Sequence, residues 1–84
     1  MNKRAYIRSQ TFFMLWENKY ICEWLEDEKM PPYIINLFHE KQIKGEDLTK
    51  LANIDLLHEL GVTSLGHCIK LKLRIEKLFH SNRL

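Results

Sequence analysis

The 84-residue chain has two cysteines, two prolines, three glycines and no long apolar run. Each shortage removes a class of protein. Cys22 and Cys68 form no CxxC or CxH cluster, so the disulfide framework of a small secreted domain is not expected, and reduced thiols inside a cell are. The longest apolar run, Phe12 to Trp16, is far too short to span a bilayer. Lys3, Arg4 and Arg8 make the first residues basic, but no apolar segment of the kind found in a secretory signal follows them. Strand-type alternation, internal repeats and low-complexity tracts are all missing.

Chemistry-bearing patterns are missing too. His39, His58, His67 and His80 fall in no HExxH-type motif. His67 and Cys68 are adjacent, so on a helix they diverge by about a quarter-turn and do not readily share one metal. Gly61 and Gly66, separated by VTSL, read as structural rather than as a phosphate-cradling loop. No nucleophile has a base and an orienting group in a recognisable arrangement. The expectation is a non-enzyme with no catalytic residue, cofactor, metal or small-molecule substrate.

What is present is a foldable core. An apolar fraction of 45% with 11% aromatics argues against disorder, and the length suits one domain with one marginal core. The chain is organised around Leu56 to Leu78. Leu57 and Leu60 suit a short buried helix. Gly61 sits where a left-handed C-cap belongs, Val62 tucks in behind it, and Thr63 or Ser64 can cap the next helix. Cys68, Leu71, Ile75 and Leu78 then recur at helical spacing as one stripe.

Upstream, Trp16, Tyr20 and Trp24 with Ile21 and Leu25 predict a first helix over about 16–26. Pro31-Pro32 mark a boundary and predict a second helix over about 32–41, carrying Ile34, Ile35, Leu37 and Phe38. Ile43 anchors a turn. A short helix is expected over 46–51, and Asn53 caps a fourth over 54–60. Loops this short between helices imply a compact all-α five-helix bundle whose C-terminal helix is the longest.

Net charge is only +2, yet the charges are sorted. The stretch 17–59 carries Glu17, Glu23, Glu26, Asp27, Glu28, Glu40, Glu46, Asp47, Asp55 and Glu59 against five lysines. The stretch 60–84 carries Glu76 against Lys70, Lys72, Arg74, Lys77 and Arg83. Such sorting makes a dipolar surface suited to orienting one molecule against another, or simply a set of solvated helix faces. Taking 100° per residue, Leu65, Ile69 and Leu73 form a second apolar ridge away from the core stripe.

The ordered set Trp16, Ile21, Trp24-Leu25, Phe38, Ile43, Gly45, Leu48, Leu51, Glu59-Leu60-Gly61-Val62, Ser64-Leu65-Gly66-His67, Lys70-Leu71, Ile75 and Leu78 resembles the sterile alpha motif (SAM) domain family over about 14–79. The chain departs from that pattern at Lys44, where an aspartate is usual, and at Cys68, where an arginine is usual. It is also about one residue longer before the second helix and near Ala52, which bears on whether Tyr33 takes the family's usual tyrosine position. The resemblance implies an N-terminal arm over 1–13, a SAM-like domain over 14–80 and a tail over 81–84.

It further implies a protein-interaction module of an intracellular signalling or scaffolding protein, associating head to tail with another SAM-like domain. One side would use the last helix: Leu65, Gly66, His67, Ile69, Lys70, Leu73 and Arg74. The other would use the acidic middle: Glu40, Glu46, Asp47, Asp55, Leu56 and Glu59. Against this stands the reading that residues 1–15, with Phe12 and Phe13, cover the ridge. The alternative function is binding of an RNA stem-loop through Lys70, Lys72, Arg74 and Lys77, which the cysteine at position 68 weakens.

Overall fold

The computed structural model describes residues 11–81. A 3-10 turn, Phe13–Leu15, precedes five α-helices: α1 (Asn18–Asp27), α2 (Pro32–Glu40), α3 (Gly45–Leu48), α4 (Ile54–Leu60) and α5 (Leu65–Ser81). The all-α five-helix architecture and the long last helix are as expected. The arm expected over 1–13 lies largely outside the described residues.

The first helix begins at Asn18 rather than Trp16, for a local reason. Trp16 is extended (φ −66°, ψ 131°), so its carbonyl points away from the helix and accepts the Gly45 N–H at 2.9 Å. Its indole Nε1 donates to the Thr11 carbonyl at 3.0 Å. The third helix also stops early, at Leu48, with Thr49 Oγ1 donating back to the Glu46 carbonyl at 2.8 Å. A hydroxyl that serves the backbone in this way competes with helix continuation.

Apolar periodicity maps onto the core as built. Ile21, Leu25, Ile34, Phe38, Leu48, Leu57, Val62, Leu71 and Ile75 are fully buried, together with Cys68. Phe13, Trp16 and Trp24 extend this core as an aromatic edge, with Phe13 stacked on Phe79 of α5 at 5.4 Å between ring centres. Burying Phe13 therefore ties the turn to the C-terminal part of α5.

Three helices end in the same backbone motif. After α1 the Lys29 N–H bonds the Glu26 carbonyl and the Met30 N–H the Leu25 carbonyl. After α2 the Gln42 N–H bonds His39 and the Ile43 N–H bonds Phe38. After α4 the Gly61 N–H bonds His58 and the Val62 N–H bonds Leu57. These are Schellman closures, each followed by an apolar residue that turns back into the core. Met30, Ile43 and Val62 fill that role and are all buried. The closure demands positive φ, found at Lys29 (62°), Gln42 (51°) and Gly61 (130°).

Candidate protein interface

Ser64 starts α5: its Oγ accepts the His67 N–H at 3.3 Å and its carbonyl the Cys68 N–H at 3.0 Å. This sets the rotation of the helix and so decides what each residue faces. Cys68, Leu71 and Ile75 point into the core. Leu65, Ile69 and Leu73 remain 65%, 41% and 53% exposed. Gly66 is exposed beside them, and a side chain there would meet nothing closer than Ser64 Oγ at 3.6 Å. Phe13 is committed to Phe79 near the far end of α5, and Phe12 lies against Phe13.

The polar residues of α5 are less available than the ridge. Arg74 Nε lies 2.9 Å from Glu28 Oε1 at the end of α1, and both side chains are partly shielded. Lys72 Nζ lies 3.0 Å from Glu76 Oε2, one turn on. The Tyr33 hydroxyl and His67 Nδ1 are 2.8 Å apart, joining the start of α2 to the start of α5. Two residues expected at the interface, His67 and Arg74, therefore fasten α5 to α2 and α1. Lys70 is half-buried, and among the described residues no ion pair holds it.

The acidic middle residues spread over three helices. Glu40 ends α2. Glu46 is exposed on α3, while Asp47 is half-buried there with Oδ2 accepting the Lys44 N–H at 2.9 Å. Asp55, Leu56 and Glu59 are exposed on α4, whose N-cap Asn53 accepts the Leu56 N–H at 3.0 Å. Asp55 and Glu59 share a groove of about 560 Å³ with Ile54, His58, Thr63, Leu65 and Cys68. The fold thus brings Leu65 from the last-helix side next to two acids from the middle side. The remaining acids, Glu40, Glu46 and Asp47, do not line that groove.

Some exposed residues lay outside the sequence-level selection. Tyr33 is 37% exposed beside His67, and Phe12, Met14 and Leu15 are 46%, 41% and 72% exposed. The signal for the last three was available: five consecutive apolar residues from Phe12 to Trp16 cannot all face one core. Both cysteines are free. Burial pushes the Cys68 thiol pKa up. Burial, with Glu26 and then Glu23 adding to it, does the same to Cys22. Among the described residues no group of three or more His, Cys, Asp or Glu side chains is placed to hold a metal, and no helix is long and apolar enough to cross a membrane.

The sequence model of the SAM domain (sterile alpha motif) matches residues 14–79. Two curated proteins are similar. The sexual differentiation protein ste4 of Schizosaccharomyces pombe is 30% identical over 83% of this chain and 25% of its own length. The mitogen-activated protein kinase kinase kinase MST11 of Pyricularia oryzae is 33% identical over 75% of this chain and 7% of its own length. The chain therefore spans a quarter or less of each of these relatives. No solved structure matches significantly. With the five helices, the Gly61 corner and the Ser64-capped last helix in place, residues 14–79 assign this chain to the SAM domain family.

Proposed function

We propose that this SAM domain is a non-catalytic protein-interaction module that associates head to tail with another SAM-like domain. One side is the first half of α5, with Leu65, Gly66, Ile69 and Leu73 as apolar contacts and, beside them, Lys70, which no ion pair holds among the described residues. The other is the acidic middle of the partner, drawn from Glu40, Glu46, Asp47, Asp55, Leu56 and Glu59. The observation that carries this reading is the exposure of Leu65, Ile69 and Leu73 on a helix whose opposite stripe already serves the core. Apolar residues flanked by charge are common at interfaces. An intracellular signalling or scaffolding setting belongs to the same proposal, supported by the likeness to a mitogen-activated protein kinase kinase kinase and by two free thiols.

The RNA stem-loop reading has less support. Of its four cations, Arg74 and Lys72 are engaged with Glu28 and Glu76, leaving Lys70 and Lys77. Absence of retention on an RNA stem-loop in low salt would end it.

Sedimentation velocity over a concentration series tests the main reading. Leu73→Glu and Lys70→Glu are each expected to keep the helical circular dichroism and melting temperature while weakening association. Arg74→Glu is unsuitable, because it would set a carboxylate against Glu28. A wild type that stays monomeric at high concentration overturns self-association and directs the search to a different SAM-like partner.

A further inference from the structure

The α5 ridge has a second, unassigned apolar patch to pair with. Phe12 and Leu15 are joined by an i→i+3 bond, Leu15 N–H to Phe12 carbonyl at 2.9 Å, and in a 3-10 turn residues at that spacing lie one above the other. Both therefore show on one side of the turn, with Met14 beside them, while Phe13 faces the core. Leu15 is the most exposed of all the large apolar residues described, at 72%.

The turn is packed closely against the start of α3. Gly45 sits so close to it that a Cβ there would fall 1.8 Å from the Phe13 carbonyl oxygen, and the Gly45 N–H bonds the Trp16 carbonyl. Exposed Glu46 follows Gly45 directly in α3, while the Asp47 carboxylate is turned back to the Lys44 N–H. Nearby Lys19 and Lys44 line a different groove, with Glu17, Asn18, Cys22, His39 and Gln42. The turn patch is thus apolar with exposed Glu46 and Lys44 following and preceding Gly45, and the ridge is apolar with Asp55 and Glu59 beside Leu65 and the cations Lys70 and Lys77 farther along α5.

Both patches stay exposed, so neither covers the other within one molecule. Phe13 stacks on Phe79, which lies ten residues beyond Ile69, or about 15 Å along the α5 axis. The ridge occupies the first half of α5, and the turn packs near its C-terminal end.

We infer that the turn Phe12–Leu15 of one copy docks on the Leu65-Ile69-Leu73 ridge of a second copy, with Glu46 facing Lys70 across the contact. This rests on the self-association reading and names the apolar anchor of its acidic side, in place of Leu56. Two different patches joining in this way form a heterologous contact, which propagates into an open chain unless its geometry closes a ring. Apolar contacts set the strength, and the charged fringes set orientation and partner choice.

The test uses the 84-residue chain and two variants, Leu15→Glu and Leu73→Glu, in sedimentation velocity with circular dichroism and melting as fold controls. Each variant alone should associate at least tenfold more weakly than wild type. Mixed in equal amounts they should form a one-to-one dimer of near wild-type strength that grows no further, because each keeps one intact patch. Met14→Glu substitutes for Leu15→Glu should the latter melt early. If Leu73→Glu dissociates while Leu15→Glu and Met14→Glu associate like wild type, the turn is not the counterpart and the ridge reading stands without it. If the mixture stays monomeric, the pairing of these two patches is wrong. A monomeric wild type overturns this inference together with self-association.

Discussion

The side-chain amide of Asn18 donates to the backbone carbonyl of Ile43 at 2.9 Å, across 25 residues of chain. The same nitrogen donates to the Phe38 carbonyl at 2.9 Å, so both of its hydrogens are used. Its oxygen lies 3.2 Å from His39 Nδ1 and accepts from Cys22 Sγ at 3.6 Å. The two carbonyls fix which end of the amide is which, and the histidine then carries its proton on Nδ1. One buried side chain thus clasps α1 to the closure that ends α2.

Replacing Asn18 should be expensive. Asn18→Leu leaves the Ile43 carbonyl unpaired in a buried site, and Asn18→Asp turns an oxygen toward two other oxygens. A buried group left without its partner costs about 1–3 kcal/mol. Each variant should unfold earlier, by about 4–24 °C at the roughly 4–8 °C per kcal/mol typical of domains this size. Thermal melting checks it; an unchanged midpoint would show that water replaces the clasp.

The helix ends offer a gain. Lys29 and Gln42 hold positive φ without being glycine, at a cost of about 1 kcal/mol each for the crowded Cβ. Lys29→Gly should therefore raise stability by a few tenths to about 1 kcal/mol, after allowing for glycine's greater freedom when unfolded. Gln42→Gly should gain less, because it forfeits the Gln42 Nε2 bond to the His39 carbonyl at 2.7 Å. Gly61→Ala should lose stability, since φ is 130° and its methyl would press on Leu37 at 3.0 Å. Urea midpoints of the three variants rank these effects.

Gly45→Ala should be the most damaging small change in the chain. Its methyl would overlap the Phe13 carbonyl, a backbone atom that cannot rotate aside as a side chain can. Overpacking of this kind costs about 1–3 kcal/mol or more. It should also free the N-terminal turn, seen as lost ring contact between Phe13 and Phe79 by nuclear Overhauser spectroscopy. A wild-type spectrum and midpoint would contradict the close approach.

Alkaline pH should expose the buried thiol. Cys68 donates to the Val62 carbonyl at 3.4 Å, and burial raises its pKa, so the folded state holds its proton more tightly than the unfolded state does. The stability linked to it is complete below the ordinary thiol pKa of about 8.5 and falls as pH rises past that value, because the unfolded chain then gains by ionising. Wild type should lose stability faster than Cys68→Ala between pH 7 and pH 10, so the gap in their urea midpoints narrows. Parallel pH profiles would show that the thiol does not contribute.

Much of this molecule was readable from local pattern. The α4 start at Asn53, the corner at Gly61 and the core stripe of α5 each depend on residues within a few positions of one another. The exposed ridge followed from the same 3.6-residue period. The ends of α1 and α2 fall within one residue of the expected positions, but the form of their closures was not visible, because Lys29 and Gln42 take a conformation that the sequence usually marks with glycine. Their closures hold because Met30 and Ile43 are drawn into the core.

Amino-acid order by itself determined the helical class, the order of the five helices and the two faces of α5, since periodicity and capping act within a turn or two of chain. Only the tertiary structure decided which polar residues are spent. Arg74 meets Glu28, His67 meets Tyr33 and Asn18 meets Ile43 through contacts across helices, and no local period records such distances. It also decided that Phe13 turns inward on Phe79 while Phe12, Met14 and Leu15 stay outside. A run of five apolar residues admits several such divisions, and the close seat of Gly45 on the turn selects one.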